Sequence, residues 1–69
     1  MNEIKKKAPK GKFRVIGVDM FSGEDYLVGD YLSQLKALTV VNEKKKKAQG
    51  QGTLPDRFYA YNDKGEYIG

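Results

Sequence analysis

The residues best able to do chemistry in this chain are acids and tyrosines. In VIGVDMFSGEDYLVGDYL, Val15 to Leu32, four acids (Asp19, Glu24, Asp25 and Asp30) stand among three glycines. An oxygen-rich loop is what calcium or magnesium requires. The spacing argues against a cation site, because the D-x-[DN]-x-[DN]-G pattern is absent and Asp19 and Glu24 flank an expected turn at Gly23. Catalysis by paired carboxylates needs one acid buried so that the two pKa values move apart. These acids sit among glycines in a chain too short to enclose a cleft of several hundred Å³. The sequence reads as a hairpin whose acids are solvated.

Histidine and cysteine are both absent. That removes the Ser–His–Asp and Cys–His nucleophiles, the usual structural zinc sites and any disulfide. GQG at 50–52 follows a helical segment, whereas phosphate-binding glycine loops precede one. No catalytic residue, metal ligand or cofactor is therefore assigned, no small-molecule substrate is expected, and the chain is expected not to be an enzyme.

The second constellation is RFYAY. On a strand, Arg57, Tyr59 and Tyr61 share one face. Aromatic rings on an open sheet can stack bases while nearby cations hold phosphates. Lys44, Lys45, Lys46 and Lys47 supply cations, provided they lie on the tyrosine side. The plainer readings are that tyrosine is a good strand residue and that lysines suit a helix end.

Charge is uneven along the chain. The net charge is +4, yet residues 1–14 carry a local +5, residues 36–47 a local +4, and the remainder −5. Such polarity steers anionic partners; a lysine-rich tail plus a solvated helix end is the simpler account. No apolar run reaches the ~20 residues of a membrane span, and the basic start leads into no signal-peptide apolar stretch. The expectation is a cytoplasmic protein without a membrane role.

These residues must be positioned by few elements, since 69 residues make one small domain with a thin core. Residues 1–11, with four lysines and Pro9, read as a flexible tail, and 12–69 as a single domain. KFRVIGVDMF and DYLVGDY predict two strands joined at Gly23. A helix is predicted over about 32–48, with Asp30 or Ser33 as cap. Ala37, Leu38 and Val41 form its apolar stripe, joined by Leu35 and by Leu32 or Val40. QGQGTLP is a linker, RFYAYN a third strand, NDKG a turn with Gly65 in the left-handed position, and EYIG a fourth strand. The expected fold is α+β, a two-layer sandwich of β-β-α-β-β order with the helix on a small, mostly antiparallel sheet.

The segments KFRVIGVDMFSGEDYLVGDY and YAYNDKGEYIG, with a helix between them, resemble a group of small uncharacterised bacterial proteins. Their pattern is a GVDxFxG hairpin, a GD(Y/F) lead into a helix and a terminal YxDKG hairpin. Here Met20 stands where threonine is common, Leu32 replaces a polar helix cap, and the KKKK run lies outside the pattern. The resemblance implies the same element order and brings no activity.

The expected function is that of an interaction module, binding an unknown protein partner or a second copy. The alternative is weak binding of single-stranded nucleic acid through Arg57, Tyr59, Tyr61 and the lysines at 44–47.

Overall fold

The computed structural model describes residues 5–50 and 55–69. In chain order the elements are β1 (Phe13–Val18), β2 (Asp25–Tyr31), α1 (Gln34–Gln49) and β3 (Arg57–Tyr61). The strands form one antiparallel sheet in the order β2-β1-β3, so the first strand is central. The α+β class follows, with the helix packed on one sheet face. Val15, Phe58 and Ala60 from the sheet meet Ala37, Val41 and Ala48 from the helix in the core.

The β1–β2 hairpin closes around Gly23, which takes φ +76° as the turn requires. Its register shifts between Val15 and Ile16: Val15 pairs with Gly29 and Ile16 with Leu27, leaving Val28 as an extra residue. This bulge places Val28 against the core on the same side as Tyr31. Leu27 is thereby left on the outer face beside Ile16. Two glycines on the helix side serve as platforms for tyrosine rings. A Cβ at Gly17 would collide with the Tyr26 ring, and one at Gly29 would lie 2.8 Å from the Tyr31 hydroxyl.

The helix begins where Ser33 caps it, its Oγ accepting the Lys36 N–H at 3.0 Å. Asp30 does not take that role. It lies on β2, and its carboxylate accepts two hydrogen bonds from Arg14, at 2.8 and 3.1 Å. Leu35 and Leu32 are not part of the buried stripe; they are 77% and 81% exposed. Leu32 precedes the helix, and Leu35 lies about 140° round it from the Ala37–Val41–Ala48 line at ~100° per residue. Leu38 and Val40 border that line instead, half-buried.

The expected fourth strand is absent as a strand, and the order is β-β-α-β. EYIG makes a single bridge, Tyr61 with Tyr67. The Ile68 N–H bonds the Ala60 carbonyl, but the Ala60 N–H goes to Gly69 rather than Ile68, and this one-residue slip ends the ladder. The turn before it is as predicted, with Gly65 at φ +81°. Asn62 Oδ1 there accepts the N–H groups of Lys64 and Glu66, both at 2.9 Å.

Of the segment read as a tail, residues 5–11 lie against this turn. The Ala8 N–H donates to the Asn62 carbonyl at 3.1 Å, and the Gly11 N–H to the Asp63 carboxylate at 2.9 Å. Ala8 is buried. Residues 1–4 and most of the QGQGTLP linker lie outside the described residues. Among the described residues, no helix is long and apolar enough to cross a membrane.

Candidate functional site

The acid loop is bound up in its own geometry. Asp19 Oδ1 accepts the Phe21 N–H at 2.8 Å and the Ser22 N–H at 3.4 Å, while its carbonyl accepts the Gly23 N–H. Ser22 Oγ accepts the Glu24 N–H at 3.3 Å. The Asp19 carboxylate thus ties the turn, as aspartates in turns commonly do. Among the described residues no three acids converge as a metal-holding group.

The outer sheet face has three cross-strand rows. Asp25, Val18 and Arg57 make the first; Leu27, Ile16 and Tyr59 the second; Asp30, Arg14 and Tyr61 the third. Acids therefore line the β2 side, while Arg57 and two tyrosines line β3. The Arg14–Asp30 pair crosses the third row with side chains 16% and 20% exposed. The hydrogen bond to Asp30 is the main cause raising the guanidinium pKa above its ordinary value; burial opposes it, and the Asp30 charge adds to it. That pair is consumed structurally.

Arg57, Tyr59 and Tyr61 share this face, and the alternation that predicted it holds. Tyr67 joins them from the terminal segment, with ring centroids 6.1 Å from Tyr59 and 5.9 Å from Tyr61, both edge-to-face. The Lys6 ammonium lies 5.5 Å from the Tyr61 centroid. Sequence reasoning missed both partners. Tyr67 was findable, because the NDKG turn sets it opposite Tyr61. Nothing in the spacing of the lysine-rich start marked Lys6.

The lysine run is divided. The helix carrying it packs on the Phe58–Ala60 side, opposite the tyrosines. At ~100° per residue the four side chains fan out. Lys44 and Lys47 line a groove with Tyr26, Val28 and Asp56 beside β2. Lys45 lines a separate groove along the β3 edge with Arg57 and Tyr59. Lys46 is directed about 160° from the buried line, into solvent. Of the four, Lys45 is the one that shares a groove with Arg57 and Tyr59, while the groove of Lys44 and Lys47 meets β3 only at Phe58.

Between the two grooves, the Tyr26 hydroxyl donates to Asp56 Oδ2 at 2.6 Å, and its ring meets Phe58 edge-on at 6.4 Å. Burial, then the bond to Asp56 and the charges of Asp56 and Asp19, push the phenol pKa up to about 12. Tyr26 is a tie across the sheet.

No family model, no curated protein and no solved structure matches the chain.

Proposed function

We propose that this is a non-enzymatic binding module whose outer sheet face takes single-stranded nucleic acid. The observation that carries the reading is the convergence of Tyr59, Tyr61 and Tyr67 on one face beside Lys6 and Arg57. Rings offer stacking surfaces to bases of any sequence, and cations beside them meet the phosphates. Residues 1–14, which include Lys6, carry a local +5, and this favours a polyanion.

The exposed apolar side chains favour a protein interface less. Phe21 is at the hairpin tip, Leu27 on β2, Leu32 and Leu35 at the helix start, and Tyr67 near the terminal segment. They are spread over the hairpin tip, β2, the helix start and the terminal segment rather than over one element. Leu32 and Leu35, three residues apart and both exposed, are what supports the second reading, a protein partner or a second copy.

The test is fluorescence anisotropy with a labelled oligothymidylate of about 12 nucleotides at two salt concentrations. Binding that weakens with salt, and that Tyr59→Leu and Tyr61→Leu each reduce roughly 5- to 100-fold, is expected for lost stacking. Leucine keeps apolar bulk on the sheet, so folding is preserved. Absence of binding at low salt refutes this reading. Concentration-dependent sedimentation would then support self-association.

A further inference from the structure

We propose that a bound strand does not stay on the tyrosine face but turns over the β3 edge, placing its next nucleotide in the groove between β3 and the end of the helix. This rests on the nucleic-acid reading and deepens it. The groove is open, about 520 Å³, and is lined by Met20, Lys45, Pro55, Arg57, Phe58 and Tyr59 among others. That volume is in the ~300–1,000 Å³ range of ligand clefts, but the groove is open, so it borders a nucleotide rather than enclosing it.

The chemistry of the lining matches the two halves of a nucleotide. Met20, Pro55 and Phe58 offer apolar and aromatic surface to a base. Lys45 and Arg57 supply cations for its phosphate, and among the described residues neither forms an ion pair. Asp56 also lines the groove, but its Oδ2 is already engaged by the Tyr26 hydroxyl at 2.6 Å. Its other oxygen is an acceptor suited to the ring N3–H of a thymine base.

Arg57 and Tyr59 make the path continuous. They stand on the outer face by register and also border the groove, because the bonds from the terminal segment begin at Ala60 and leave the Arg57–Tyr59 end of β3 as an edge. Lys44 and Lys47 lie in the other groove, beside β2, and Lys46 faces solvent. Four consecutive lysines with similar net charge therefore have unequal roles, and Lys45 is the one on the path.

The experiment compares Lys45→Gln with Lys46→Gln in the full chain, using the same oligothymidylate across a salt series. Both sites are exposed, so each variant folds. For Lys45→Gln the slope of log affinity against log salt is expected to fall by ~0.7, the value for one phosphate contact on a single strand. Lys46→Gln should leave the slope unchanged. Equal effects at the two positions overturn the groove path while the tyrosine reading stands. Failure of the unaltered protein to bind overturns both.

Discussion

Tyr26 and Gly17 show how much can rest on two side chains, one of them a hydrogen atom. Gly17 leaves room for the Tyr26 ring to cross the central strand, and the ring carries its hydroxyl to Asp56, the residue just before β3. The hydroxyl holds its proton to about pH 12, against ~10 for free tyrosine. Because the folded pKa is the higher, this contribution is full below about pH 10 and is lost as pH rises through 12. One of the five tyrosines should therefore titrate late in tyrosinate absorbance. Tyr26→Phe should abolish that late step while costing about 1 kcal/mol, the net worth of one hydrogen bond. A late step that persists in Tyr26→Phe would place the perturbed phenol elsewhere.

At the scale of elements, the helix separates two kinds of leucine-like residue that composition treats alike. Leu35→Gln should change stability by less than ~0.5 kcal/mol, whereas Val41→Ala should cost about 2 kcal/mol. Urea denaturation of both variants measures the difference, and equal costs would mean the buried line is misplaced. The hairpin, the helix and the third strand were legible because glycines mark the turns and the apolar period changes near Ser33. Leu35 was misassigned because a short stripe with alanines at its centre leaves the apolar direction poorly defined. The bulge at Val28 was invisible, since an extra residue in β2 leaves no mark on the alternation of a half-apolar strand. The last strand failed through one backbone bond, from Ala60 to Gly69, which no side chain announces. At the candidate site, alternation placed Arg57, Tyr59 and Tyr61 together correctly. The division of the lysines needed the helix's docked rotation.

At the scale of the whole molecule, the segment from Lys5 to Gly11 lies against the turn at 62–65. Ala8 is buried there although its surroundings in sequence are lysine and proline. Ala8→Glu should therefore destabilise the protein by ~1–3 kcal/mol, the range for placing an unpaired charge in a packed position. A solvated tail would tolerate the change, so an unaltered unfolding midpoint would contradict this packing.

The position of β1 has a consequence for how the chain folds. It precedes β2 and β3 in the chain, finds β2 across a short loop, and gains its second partner only when the helix and β3 have packed. Until Arg57–Tyr61 has docked, one side of the central strand is an unpaired edge rich in Val15, Ile16 and Val18. The folding chain is thus most open to aggregation while the hairpin has formed and β3 has not yet docked. The helix that joins β2 to β3 carries four lysines near its end, charge of the kind that keeps a chain with an open edge in solution.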